Sequence, residues 1–147
     1  MKVYVASAWS DFRVARAAQN MLRALGHTIS HDWTEHADEY ATCDAASEEV
    51  RLESAIADVH GVLVADGFLL CAPAEGGSGC WTELGIALAG GADLPGYKPE
   101  DPIAEVTAGR RVVVCGPGRD RNVFARLAHR VETVEQAVAW LDQESRR

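Results

Sequence analysis

Short apolar runs alternate along this chain with longer stretches whose apolar positions recur at helical spacing. Lys2-Val3-Tyr4-Val5-Ala6-Ser7 is brief, β-branched and aromatic, and ends at a polar break, which predicts a buried strand. Ser10 or Asp11 caps the helix that follows; Phe12, Ala15, Met21, Leu22 and Leu25 supply its apolar face and Gly26 stops it. His27-Thr28-Ile29-Ser30-His31-Asp32-Trp33 then forms a second strand. Strand, helix and strand inside 33 residues make a βαβ unit, so the first two strands run parallel.

Residues 34–44 read as a polar connection, and from Ala45 the spacing of Val50, Leu52, Ala55, Ile56 and Val59 predicts a helix. The continuous apolar run from Val62 to Cys71 fits either period. It is resolved as a helical turn begun by Asp58 and ending near Ala65-Asp66, then a strand over about 67–72. Next comes Gly76-Gly77-Ser78-Gly79-Cys80-Trp81-Thr82-Glu83-Leu84-Gly85, a glycine-rich loop leading into a helix that Glu83 opens and Gly90-Gly91 ends.

Residues 92–109, with Pro95, Gly96, Pro99, Pro102 and Gly109, read as a long loop of the kind that serves as a lid or an insertion. Arg111-Val112-Val113-Val114-Cys115-Gly116 is the fourth strand. A helix runs through Phe124-Ala125-Arg126-Leu127, and His129-Arg130-Val131 is a short edge strand. Thr133-Val134-Glu135-Gln136 is a capping box opening the last helix, which buries Val138, Trp140 and Leu141. The alternation predicts one α/β domain over residues 1–147. Its sheet is doubly wound in the flavodoxin- or Rossmann-like manner, with about five parallel strands and helices on both faces.

At 147 residues such a domain buries roughly 70% of its unfolded surface. A net charge of −8 argues against a nucleic-acid polymer or an anionic membrane as partner, though not against a small anion held locally. No apolar run is long enough to span a bilayer and the start carries no signal-peptide pattern, so the expectation is a cytoplasmic protein. Cys43, Cys71, Cys80 and Cys115 form no paired motif, and Cys71 and Cys115 read as small hydrophobes. His31, Asp32 and His36 lack the supporting ligands of a metal site, and the chain implies no metal and no cofactor.

Glu83 is the residue that needs explaining. A strand that leads through a glycine-rich loop into a helix puts backbone N–H groups and one carboxylate at the carboxyl end of a strand, where open α/β sheets bind ligands. The structural alternative is that an acid in the first turn complements the helix dipole. The loop matches neither a dinucleotide fingerprint nor a phosphate-binding loop ending in Lys-Ser/Thr.

Taken together, Lys2-Val3-Tyr4-Val5-Ala6-Ser7, Leu25-Gly26-His27, Asp58 with Ala65-Asp66, and Gly79 with Glu83-Leu84-Gly85-Ile86-Ala87 resemble the nucleoside 2-deoxyribosyltransferase family, whose superfamily includes nucleoside 5′-monophosphate N-glycoside hydrolases. The specific part is the spacing from Asp58 to Asp66 followed by Gly-x3-Glu-Leu-Gly; Asn122-Val123-Phe124 and Val138-Ala139-Trp140 fit as well. The resemblance covers nearly the whole chain outside 92–109. It implies a covalent nucleophile at Glu83 and a substrate-orienting carboxylate at Asp58, with Tyr4, Ser7, Trp9, Gly77, Ser78 and Gly79 around a small nucleoside or nucleotide. It also implies a homo-oligomer in which a neighbouring subunit closes the site. The reaction would be cleavage or transfer at an N-glycosidic bond with net retention.

Each of these residues has a structural reading too: Asp58 as a helix cap, Asp66 as a structural acid, Tyr4 as a buried strand aromatic, Ser7 as a loop cap and Trp9 as a cover for the sheet edge. The chain also departs from the family's pattern. Gly77 stands where the deoxyribosyltransferases carry an Asp and the monophosphate hydrolases a Ser, and Trp9 stands where phosphate-using relatives carry an Arg. Nucleoside and nucleotide therefore both stand as substrates. Two other functions fit the same residues. Ser78-x2-Trp81-x-Glu83-Leu84 resembles TIR-like NAD glycohydrolases, and a non-catalytic nucleotide-binding module on the same fold needs none of the chemistry.

Overall fold

A computed structural model describes residues 1–35, 37, 46–90 and 111–147. Five parallel strands, β1 (Lys2–Ser7), β2 (Thr28–Ile29), β3 (Gly67–Cys71), β4 (Arg111–Cys115) and β5 (His129–Arg130), form one sheet in the order β2-β1-β3-β4-β5. Among the described residues, four α-helices flank it: α1 (Phe12–Ala24), α2 (Glu48–Leu63), α3 (Ser78–Gly90) and α4 (Val134–Ser145). The doubly wound α/β sheet is as expected.

Period-2 alternation in the strands builds two cores. Tyr4, Ala6, Phe68, Leu70, Val112 and Val114 face α2 and α3, while Val3, Val5, Leu69, Cys71, Val113 and Cys115 face α1 and α4. Burial on both faces explains why these strands read as continuous apolar runs. Cys71 and Cys115 do pack as small hydrophobes. The chain leaves β1 toward β2 on one side, then returns to place β3 on the other. The carboxyl ends of β1 and β3 thus flank a topological switch point.

Several boundaries differ from the pattern-based expectation. The second strand spans Thr28–Ile29 rather than 27–33, because only Lys2 and Val3 of β1 pair with it. The segment after Asp58 is not a separate turn: one helix, capped by Ser47, which accepts from the Val50 N–H at 3.3 Å, runs unbroken to Leu63. Asp58 therefore caps nothing. Only Gly61 and Val62 of α2 are buried, so Leu52, Ile56 and Val59 are exposed among the described residues. Leu25, expected on the inner face of α1, lies at the helix end and is exposed. The segment through Phe124 is a 3-10 helix (Val123–Leu127). The capping box of α4 forms as expected, with Thr133 accepting from the Gln136 N–H at 3.3 Å and Gln136 accepting from the Thr133 N–H at 3.2 Å. The 92–109 loop lies outside the described residues.

Gly61 sets how closely α2 approaches the sheet. A Cβ there would meet His31 Cβ at 2.6 Å and the Tyr4 ring at 3.0 Å. Replacing glycine by alanine inside an exposed helix gains about 1 kcal/mol. At this contact overpacking costs about 1–3 kcal/mol instead. Gly61→Ala is therefore expected to lower the urea midpoint of unfolding. A midpoint at or above that of the parent protein would contradict the close packing of α2 on β1.

Candidate active site

The site is built where α2 and α3 cross the same face of the sheet above β1. Cys80, Leu84, Ala87 and Leu88 seat α3 on that face, and Glu83 sits beside this stripe, turned toward α2. Asp58 lies one turn before Gly61 on α2. Tyr4, from the middle of β1, is held by the parallel ring of Phe68 on β3, at 5.9 Å between centroids. Its hydroxyl reaches between the helices, 2.7 Å from Glu83 Oε1 and 2.8 Å from Asp58 Oδ1. His31 Nε2, just past β2, stands 3.5 Å from the same Asp58 oxygen. Parallel pairing brings the ends of β1 and β2 to one edge of the sheet, which is how residues 27 apart in sequence come to share a partner.

A phenol carries one proton, so Tyr4 can donate to only one of its two carboxyl neighbours. The other short contact needs a proton from a carboxyl group. Burial and the two adjacent carboxyls push the Tyr4 phenol far above its ordinary value, so it stays protonated. Burial first, then the charge of Asp58, pushes Glu83 from 4.5 up to about 8, with the Tyr4 hydrogen bond opposing. Burial also raises Asp58, but the Tyr4 hydrogen bond and the charge of His31 oppose it. At neutral pH the pair therefore carries one carboxyl proton, held mainly at Glu83, so that with the phenol proton two protons serve the two short contacts.

This corrects the expectation for Glu83. Helix α3 starts at Ser78, so Glu83 lies on its second turn and does not open it. The dipole argument for an ionised first-turn acid does not describe it.

The chain opens into a cleft of about 1230 Å³ beside this network, at the switch point. Ser7, Trp9, Ser78, Gly79, Asp58 and Glu83 all line it. Ser7 also donates to the Ala8 carbonyl at 3.0 Å. The Trp9 ring packs at 6.1 Å and 34° against Trp33, and both indoles line the cleft. Trp33 is fixed by donating its Nε1–H to the Val5 carbonyl at 2.8 Å.

Gly77 also lines the cleft but has no room for a side chain. Its φ is +80°, and a Cβ would meet Pro73 Cγ at 2.7 Å and Cys80 Sγ at 2.8 Å. The loop is thus built without a substrate-selecting side chain at this position. Asp66 takes its structural reading: it accepts from the Lys2 N–H at 2.8 Å and its own N–H donates to the Lys2 carbonyl, pinning the start of β1.

His31 and Asp32 point to different partners. Asp32 accepts from Arg23 at 2.6 Å and from the Thr34 hydroxyl at 2.6 Å, and these bonds hold it below the usual carboxylate range against the upward push of burial. No three metal-ligating side chains cluster among the described residues. His36 lies outside them. In the sequence His31 presents itself only as a possible metal ligand, and neither Trp33 nor Gly61 stands out. The available signal was that His31 follows the strand that pairs with β1.

Comparison with protein-family models, curated proteins and solved structures finds no match to this chain. No helix among the described residues is long and apolar enough to cross a membrane.

The raised Glu83 carboxyl makes a prediction about folding stability. The unfolded chain ionises this group near 4.5 and the folded chain near 8, so over that interval the folded state binds more protons. The stabilisation is complete below about 4.5, is lost as pH rises toward 8, and changes no further above it. The melting temperature of the parent protein relative to Glu83→Gln is expected to fall across that interval. A pH-independent difference would contradict the buried, proton-sharing Glu83.

Proposed function

We propose that this protein cleaves or transfers at the N-glycosidic bond of a nucleoside-type substrate through a glycosyl ester on Glu83. One observation carries the proposal: Tyr4 holds Asp58 and Glu83 within 2.8 Å and 2.7 Å of one hydroxyl at the wall of an open cleft. Support comes from the company these features keep: paired carboxyl groups with a raised pKa, in a concave site at the switch point of a parallel sheet, are the setting in which catalytic acids and nucleophiles are found. The resemblance to the nucleoside 2-deoxyribosyltransferases rests on the same Asp58 and Glu83.

The chemistry follows from the proton count. As the bond between the anomeric carbon and the base nitrogen breaks, its electron pair goes to the base, which takes up the proton shared by the pair through Asp58. Glu83, now a carboxylate, bonds to the anomeric carbon. Water or a second base then attacks that carbon from the opposite side, giving its proton to Asp58 while the ester bond breaks and restores Glu83. Two displacements leave the configuration retained. Tyr4 is a positioning residue that sets where the proton resides, and His31 supports the charge on Asp58 when protonated.

The test is to incubate the protein with deoxynucleosides, ribonucleosides, their 5′-monophosphates and NAD, with and without a second base, and to follow free or exchanged base. The expected result is base release that Glu83→Ala abolishes and Asp58→Asn lowers on the order of 10²–10⁴-fold. A 2-fluoro nucleoside should leave a sugar on Glu83 detectable by mass spectrometry. Release that is undiminished in Glu83→Ala, or no release from any substrate, would overturn the proposal.

A further inference from the structure

The charge and ring content of the cleft carry the substrate class further, on the footing of the function proposed above. Among the described residues lining it are six carboxyl groups, Asp32, Glu35, Glu53, Asp58, Glu75 and Glu83, against two guanidinium groups, Arg23 and Arg51. Arg23 and Asp32 pair with each other at 2.6 Å and Glu83 holds its proton at neutral pH, which leaves Glu35, Glu53, Asp58 and Glu75 facing Arg51 and His31 in the same lining. A 5′-phosphate would bring up to two negative charges into this lining. The cleft is large enough to admit one, so selection against it comes from charge rather than size.

Independently of the carboxyl groups, two indoles line the same cleft, with Trp33 oriented by its bond to Val5 and Trp9 tilted against it. Indole faces attract cations through their quadrupole, most strongly where water is partly excluded. Acidic walls together with paired aromatic faces form an environment selective for a positively charged ring.

We propose that the cleft takes an unphosphorylated nucleoside whose base carries a positive charge, of the N-glycosylated pyridinium or N7-alkylated purine class. Such a base needs no proton to leave. As the cation binds, the proton held at Glu83 passes through Tyr4 and Asp58 to solvent. When the bond to the anomeric carbon breaks, its electron pair neutralises the ring, which departs as a neutral base, while the Glu83 carboxylate forms the new bond to that carbon. Glu83 takes a proton back from solvent once the ester is hydrolysed. Water then attacks the sugar carbon, its proton passes through Asp58 to solvent, and Glu83 is released. Sugar, neutral base and one proton balance the cationic nucleoside and water. An approaching cation also favours ionisation of Glu83, which otherwise holds a proton at neutral pH, whereas a phosphate would oppose it.

The experiment has a binding arm and a turnover arm. Binding to Glu83→Gln, which keeps the site but cannot form the ester, is measured for nicotinamide riboside, N7-methylguanosine, guanosine and the 5′-monophosphate of each. The cationic nucleosides are expected to bind at least 10-fold tighter than guanosine and than their own monophosphates. This preference should shrink in 1 M salt and in variants that also carry Glu53→Gln and Glu75→Gln. Equal binding of guanosine, or tighter binding of any monophosphate, overturns the cationic preference.

Turnover by the parent protein, corrected for each compound's uncatalysed rate, separates the two claims. Glu83-dependent release from guanosine or a monophosphate in preference to the cationic nucleosides sinks this inference and leaves the glycosidic function standing. Cation-selective binding with no release from any compound does the reverse.

Discussion

The Tyr4 hydroxyl is the point on which the rest of the site depends. It has one proton to give and two carboxyl groups within hydrogen-bonding distance, so the three groups settle their protons together. Asp58 and Glu83 belong to different helices and lie 25 residues apart. Without a buried hydroxyl between them, two carboxylates drawn together on one sheet face would repel and expose themselves to water. With it, the pair keeps one carboxyl proton, and Glu83 is pushed up to about 8 by burial and by its neighbour's charge. A carboxyl poised near neutral pH suits the switch between holding a proton and acting as a nucleophile that the proposed reaction asks of it.

The fold supplies that geometry through backbone approach. Gly61 lets α2 sit directly on the Tyr4 ring and on His31, which brings Asp58, one turn earlier, to the hydroxyl. On the other helix, Cys80 is buried beneath the glycine loop, its thiol pushed up to about 12 by burial and the nearby Glu83, and donates to the Gly77 carbonyl at 3.0 Å. It is an inert packing group that closes the loop and orients the start of α3. The strand order then places the cleft beside the pair at the carboxyl ends of β1 and β3, whose onward connections run to opposite sides of the sheet.

Much of this was legible in the sequence because buried parallel strands write themselves as unbroken apolar runs, and β1, β3 and β4 all do. The candidate carboxyls were legible as well, though for reasons the structure alters. Glu83 stood out as an acid at the start of a helix, yet the helix begins at Ser78 and the importance of Glu83 comes from burial beside Asp58. Asp58 was open to reading as a cap because the apolar run after it fits two periods; the unbroken helix removes that reading. The bond from Tyr4 to both acids was not legible, because it depends on how two helices dock on one strand. The same holds for His31, whose partner is fixed by the pairing of β2 with β1. Gly77 was visible as a departure from the resembling family, but only its φ and the wall formed by Pro73 and Cys80 explain why no side chain stands there.

The most direct test of the shared proton is a carbon-detected NMR titration of the Glu83 carboxyl in the parent protein and in Asp58→Asn. The expected midpoint is near 8 in the parent protein, with a clear downward shift once the neighbouring charge is removed. A midpoint near the ordinary 4.5 in the parent protein, unmoved by Asp58→Asn, would contradict the shared proton.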